Sequence, residues 1–170
     1  MKKIILYILF GSLFLFLQVS TLVNRYIGIK GIVPDFLLVY IIIISYLSDS
    51  FEGETIGFIL GLILDYFSSS LFGLSSFIYV VFGFFIGELK KQINIESIFF
   101  ILILVLLSSL VKLFFYYFFG YMFKEIFITF KNTIVYFSIN LVYTLFVTPF
   151  IYYILNAVFI KTNILNKSYK

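Results

Sequence analysis

Very few residues of this sequence carry side chains that could take part in chemistry. The sequence contains no histidine and no cysteine, so it lacks the usual proton shuttle, the thiol nucleophile and the commonest metal ligands. It also contains no Gly-x-Ser-x-Gly elbow and no phosphate-binding Walker loop. The remaining candidates are carboxylates and amines beside apolar stretches, notably Asp35, Asp65 and Lys112. We therefore predict no catalytic, cofactor-binding or metal site, and we expect that the protein is not an enzyme.

The composition excludes a soluble enzyme or a soluble binding domain. Hydrophobic residues make up 63% of the 170 residues, and charged residues make up 12%. Soluble domains usually contain about 45–50% apolar and about 25% charged residues. A soluble globule of this composition would expose large apolar patches, which soluble monomers avoid. We predict an integral membrane protein in contact with the lipid bilayer, and the scattered net charge of +4 indicates no nucleic-acid partner.

The apolar segments predict an all-α, polytopic helical bundle that forms a single transmembrane domain over residues 1–170. A helix needs about 20 apolar residues, with a range of about 17–25, to cross the hydrocarbon core. Short polar loops separate segments of roughly this kind, which predicts about six transmembrane helices. The approximate bounds of these spans are 4–24, 34–48, 54–67, 71–88, 97–119 and 132–160.

Three of the predicted spans have unusual lengths. The second and third are short, and a polar turn over residues 49–54 is predicted to join them. They could be thin tilted spans, partly broken helices of the kind found in transporters, or spans whose ends neighbouring helices cover. The sixth is long enough that it must tilt, kink at Pro149 or continue along the membrane surface.

The distribution of basic residues favours an arrangement with both termini in the cytoplasm. Cytoplasmic loops carry an excess of Lys and Arg. With the amino terminus inside, seven basic residues lie on the inner side and four on the outer side. The inner residues are Lys2, Lys3, Lys90, Lys91, Lys161, Lys167 and Lys170, and the outer ones are Arg25, Lys30, Lys124 and Lys131.

Small residues recur at four-residue intervals in the third span. Gly53, Gly57 and Gly61 are followed at the same spacing by Asp65, and this spacing forms one slowly drifting stripe on a helix. Helices in lipid associate through close backbone approach, which glycine permits. The stripe therefore predicts a seam with another helix, either within the bundle or on a partner protein. The fourth span has the same spacing at Gly83 and Gly87.

Charged residues near the spans suggest an ion pair. Lys112 is the one cation inside a predicted span. It either extends its long side chain to the membrane surface or pairs with Asp65 or Asp35. Asp65 itself is either part of such a site or a solvated end group at headgroup depth, where charge is cheap.

The sixth span carries a polar stripe just before Pro149. Asn140, Thr144 and Thr148 follow one another at four-residue intervals, so they share one helix face. Such side chains hydrogen-bond between helices in a membrane. We predict that they hold helices together, and the alternative interpretation is a path for a substrate.

These motifs resemble those of the MreD family of bacterial rod shape-determining membrane proteins. Pro34-Asp35 opens the second helix, Gly57-Phe-x-x-Gly61-x-x-x-Asp65 follows, and Gly73-Leu74 comes next. The order is similar to that of the family over residues 34–74, and the rest of the chain agrees in hydropathy. The family positions carried over by the resemblance are Pro34, Asp35, Gly57, Gly61, Asp65 and Gly73.

The resemblance implies a non-catalytic role in the complex that maintains rod shape and directs lateral peptidoglycan synthesis at the bacterial cytoplasmic membrane. It implies MreC as a partner, with MreB, RodA and a penicillin-binding transpeptidase in the same complex. It also implies a fold resembling the substrate-binding subunits of energy-coupling-factor transporters.

That likeness supplies an alternative, in which the chain is a substrate-binding subunit for uptake of a vitamin-type small molecule. Such subunits dock through an Ala-x-x-x-Ala face on the first helix, whereas this sequence has a single alanine, Ala157. They also tend to have longer outer loops than those predicted here. A third possibility, a membrane-embedded lipid transferase, has only scattered carboxylates in its favour.

Overall fold

A computed structural model describes residues 2–26, 28, 31–68, 71–93, 97–123 and 130–161 of the chain. Over these residues the fold is all-α, as the sequence predicts. The helices are α1 (Lys2–Val19), α2 (Thr21–Tyr26), α3 (Phe36–Leu47), α4 (Ser50–Phe67), α5 (Leu74–Gln92), α6 (Ile98–Met122) and α7 (Phe130–Lys161).

The short helix α3 is the centre of the bundle. Every residue from Phe36 to Tyr46 is buried, and α3 packs against α1, α4, α5, α6 and α7. Its sequence is apolar on all sides, which is typical of a helix with no exposed face. At 1.5 Å per residue its 12 residues extend about 18 Å, less than the hydrocarbon thickness of about 30 Å. The surrounding helices therefore enclose it along its whole length.

Two local predictions from the sequence are wrong. Residues 50–54 belong to α4 rather than to a polar turn, because the Asp49 side chain accepts a hydrogen bond from Ser50 N and caps the helix. Glu52 in the first turn also suits a helix amino terminus. The first predicted span is divided at Ser20 into α1 and α2, where Ser and Thr occur, residue types that favour helix ends.

The remaining helices agree better with the predicted segments. The bounds of α5, α6 and α7 lie within four residues of the predicted 71–88, 97–119 and 132–160. Helix α7 continues through Pro149, although proline cannot donate the backbone hydrogen bond of a regular helix.

Two described helices are long and apolar enough to cross a membrane: Ile98–Met122 and Ile134–Ile160 have mean hydropathies of 2.8 and 1.8. The shorter apolar helices are Lys3–Val19 and Phe36–Leu47.

The glycine stripe of α4 lies against α5 of the same chain. A methyl group at Gly57 would lie 2.9 Å from the Tyr79 carbonyl oxygen, and one at Gly61 would overlap the backbone of Ser76. Gly83 of α5 faces Gly53 of α4, and a methyl group there would lie 2.6 Å from the Gly53 carbonyl carbon. These approaches are too close for any larger residue. The α4–α5 seam is therefore internal to the protein.

The other stripe glycines extend this seam toward one end of the bundle. A methyl group at Gly87 would overlap the backbone of Ser50, at the start of α4. A methyl group at Gly53 would overlap the Ser45 side chain of α3. Gly53 therefore lets α4 approach α3 and α5 together, which brings three helices into close contact at this end.

We predict that Gly61→Ala destabilises the protein by about 1–3 kcal/mol, because overpacking forces rigid backbones apart. The measurement is the free energy of unfolding of the purified protein in detergent. Gly11→Ala is the matched control, since its nearest neighbours are the flexible methyl groups of Leu60, the closer at 3.1 Å. Both glycines lie within helices, so replacement by alanine raises the helix propensity by a similar amount at the two positions. Equal stability of the two variants would contradict a tightly packed seam.

Candidate functional site

An ion pair joins α6 to the start of α3, and these two helices are far apart in the sequence. Lys112 Nζ of α6 contacts the Oδ2 atom of Asp35, the residue that caps α3. The side chains of Lys112 and Asp35 are 16% and 7% exposed. Of the alternatives left open by the sequence, the structure therefore places Lys112 beside Asp35 and not beside Asp65 or at the surface.

Two tyrosines that the sequence analysis did not single out complete the surroundings of Lys112. Tyr79 of α5 donates a hydrogen bond to Asp35 Oδ1 and accepts one from Lys112 Nζ, both at 3.3 Å. The ammonium group also lies 5.2 Å and 5.7 Å from the ring centroids of Tyr79 and Tyr116. Aromatic faces attract a cation at this range. With 14 tyrosines in the chain, the sequence offers no signal that distinguishes these two.

The polar stripe on α7 fixes the segment that leads into α3. Thr144 Oγ1 accepts a hydrogen bond from Asp35 N at 3.0 Å, and Asn140 Nδ2 donates one to Val33 O at 2.7 Å. The hydroxyl group of Thr148 donates to Thr144 O within α7 itself. Two of the three stripe residues therefore join α7 to the chain before α3, and the described bond of Thr148 does not cross between helices.

Pro34 lies immediately before the capping residue Asp35, whose contacts with Lys112, Tyr79 and Thr144 form a joint between helices. The sequence predicts a helix that opens at Pro34-Asp35, whereas the described helix begins at Phe36. Proline has no backbone N–H to donate. Before the first turn of a helix this removes no helical hydrogen bond. The Phe36 backbone N–H donates to Gln18 Oε1 at 2.9 Å, which connects the end of α1 to the joint.

Asp65 organises the neighbouring start of α5. Its side chain accepts hydrogen bonds from Gly73 N at 2.9 Å and from Ser75 N at 3.0 Å. Gly73 precedes α5, has a φ of 91° and supplies no side chain to cap the helix, so a carboxylate from α4 does so instead. Negative charge is also favourable at a helix amino terminus. Asp65 is only 2% exposed, which overturns its interpretation as a solvated end group.

A second group of charges lies at the opposite end of the bundle. Lys3 Nζ contacts Glu52 at 2.5 Å, and Tyr7 donates to the same carboxylate at 2.6 Å. Lys91 contacts Glu88 at 2.5 Å, within α5. The start of α1 is therefore tied to the start of α4. Among the other basic residues used for the predicted orientation, Lys30, Lys124, Lys167 and Lys170 lie outside the described residues.

The buried carboxylates and Lys112 hold the starts of helices in place. Asp35 and Asp65 both accept backbone N–H groups at helix starts, and Lys112 neutralises one of them. Within the described ranges, no group of three or more Asp and Glu side chains could hold a metal ion. A buried charge is tolerated only with such partners, so the contacts around Asp35 and Lys112 act as a joint between α3, α5, α6 and α7.

The fold and this joint define a class of protein: an apolar helical bundle of the membrane type, with helix ends held by buried polar groups. The chain belongs to the MreD family, because the family model described as rod shape-determining protein MreD matches residues 1–158. The match confirms the family suggested by residues 34–74 and extends it over most of the chain. The protein is thus a membrane protein of a family with a role in rod shape determination. The comparisons with curated proteins and with solved structures give no match.

We predict that Lys112→Met costs about 3–5 kcal/mol of stability, because it leaves the buried Asp35 carboxylate without its cation. The double change Lys112→Met with Asp35→Asn should recover much of this loss, since Asn also caps a helix. The free energies of unfolding of the single and double variants form a double-mutant cycle. Lys91→Met, at a half-exposed pair, serves as the control and should change stability little. Additive effects of the two changes at the joint would contradict the pairing.

Asp65→Leu should destabilise the start of α5 by about 0.5–2 kcal/mol, the usual effect of losing a helix cap. Asp65→Asn should reduce the stability of the start of α5 by less, because the amide oxygen still accepts a hydrogen bond from a backbone N–H. Hydrogen exchange of the amides at the start of α5 measures the effect locally. Unchanged exchange in Asp65→Leu would show that the carboxylate does not cap this helix.

Proposed function

We propose that this protein is a non-catalytic membrane scaffold of the cell-elongation complex, which maintains rod shape and directs lateral peptidoglycan synthesis. The observation that carries the proposal is the family match over residues 1–158. The joint around Lys112 supports it, because its charged groups hold helices in place. Such a bundle is suited to present a fixed surface to other proteins.

In this proposal the chain is one multi-pass domain of the bacterial cytoplasmic membrane. Helices α1 and α3 to α7 form six spans, and both termini lie in the cytoplasm. The contact between Lys3 and Glu52 supports this arrangement, because it places the starts of α1 and α4 at one end. The contact between Lys112 and the start of α3, together with the hydrogen bond between Gln18 and Phe36, belongs to the other end.

The partner in direct contact is a transmembrane helix of MreC, with MreB, RodA and a penicillin-binding transpeptidase in the same complex. The glycine stripe of α4 is occupied by α5, so it is closed to a partner. Apolar side chains on the outer faces of the bundle remain exposed. Ile8 of α1, Phe85 of α5, Leu107 of α6 and Phe146 of α7 represent four such faces.

A photo-crosslinking amino acid at each of these four positions tests the proposal in cells that produce MreC. We expect crosslinks to MreC from one or two adjacent faces and none from Ile42, which is fully buried in α3. A crosslink depends only on the distance to the partner. A variant that folds and keeps its activity therefore still reports whether MreC lies near that face. The uptake-subunit alternative predicts a different pair of results. No face would crosslink to MreC, and the purified protein would retain a vitamin-type molecule.

A further inference from the structure

A crevice of about 320 Å³ opens beside the joint, at the ends of two helices. It is lined by Gln18 and Val19 at the end of α1, by Phe67 and Ser68 at the end of α4, and by Lys112 and Tyr116 of α6. A volume of this size lies at the lower end of the range of small-molecule pockets. It combines apolar walls with polar groups that belong to the joint.

Two side chains that line the crevice, Gln18 and Lys112, have N–H donors left over from their printed hydrogen bonds. The Gln18 Oε1 atom accepts a hydrogen bond from Phe36 N, so the Nε2 atom of the same amide points away from Phe36. Among the described residues, none accepts a hydrogen bond from Gln18 Nε2. Lys112 Nζ donates to Asp35 and to Tyr79, which accounts for two of its three N–H bonds. Acceptor atoms on an occupant would complete the hydrogen bonding of these two side chains.

The charge of the site favours a neutral acceptor. Lys112 is the one cation among the described residues that line the crevice, and Asp35 already neutralises it. A further anion would therefore enter an apolar setting with no cation of its own, which is costly. Carbonyl oxygens accept hydrogen bonds without this cost.

The walls indicate an occupant with a hydrocarbon part. Val19 and Leu64 contribute apolar surface to the crevice. Phe67 lines it too and is 58% exposed, so the apolar wall continues onto the outer surface of the bundle. Because α1 and α4 end here, the six-span arrangement proposed above places the crevice where the hydrocarbon core of a bilayer meets the headgroup region.

We propose that the crevice holds the glycerol-ester region of a diacyl lipid. The ester carbonyl oxygens accept hydrogen bonds from Lys112 Nζ and Gln18 Nε2, and an acyl chain leaves over Phe67. The volume of about 320 Å³ falls within the range of small-molecule pockets, which suits the ester groups and the first methylene groups. The proposal rests on the membrane arrangement proposed above and not on the scaffold role, since it concerns the isolated chain.

Native mass spectrometry of the purified full-length protein tests this with two synthetic phosphatidylglycerols, one with ester-linked and one with ether-linked chains. Ether linkages lack the carbonyl acceptors. We expect the protein to retain the ester lipid about three- to tenfold better, the range that a lost hydrogen bond produces. Replacing the headgroup by phosphatidylethanolamine should leave this preference unchanged, and millimolar inorganic phosphate should not displace the lipid.

Val19→Trp fills the crevice without removing a polar contact and should abolish the preference for the ester lipid. Leu13→Trp, on the exposed part of the same helix, is the matched control and should keep it. Gln18→Glu retains an oxygen for Phe36 N but removes the amide donors, so it should reduce the preference even if Val19→Trp fails to fold. Equal retention of the two lipids by the unchanged protein, or displacement by phosphate, would overturn the proposal.

Discussion

The start of α3 is the constraint on which the rest of the structure depends. A helix start leaves backbone N–H groups without partners in the helix, and here it lies among other helices rather than in water. Protein groups must supply every partner, because an unsatisfied polar group in an apolar setting is costly. Asp35 caps the helix, Gln18 and Thr144 bind adjacent backbone groups, and Lys112 neutralises the carboxylate.

This requirement explains why helices distant in the sequence meet at one place. Gln18 comes from α1, Lys112 from α6 and Thr144 from α7, and each contacts the chain at Asp35 or Phe36. Hydrophobic contact gives little directional preference between apolar helices in lipid. Polar contacts do have direction, so the joint selects one arrangement of the surrounding helices.

The seam between α4 and α5 supplies a second and different kind of contact. Gly57, Gly61 and Gly83 bring two backbones together without side chains between them, and Asp65 adds a polar cap at one end of the seam. The glycines of a membrane helix are often considered as a surface for partners. Here α5 of the same chain covers them, and the apolar side chains that remain exposed lie on other faces of the bundle.

The sequence by itself determined the class of the protein and its helical content. The apolar composition, the lengths of the uncharged segments and the order of Pro34, Asp35, Gly57 and Asp65 are local properties, and they sufficed for an all-α membrane protein resembling MreD. The sequence also left two alternatives for Lys112, a cation within an apolar segment: extension to the membrane surface or pairing with Asp35 or Asp65.

Only the tertiary structure decided which partners meet. The choice between Asp35 and Asp65 for Lys112 depends on how α6 rotates against α3, and spacing along the chain does not encode that rotation. The same holds for Tyr79, whose role arises from contacts across 44 residues. The burial of α3 is also a tertiary result, because a short apolar segment becomes the centre of the bundle only when five helices surround it.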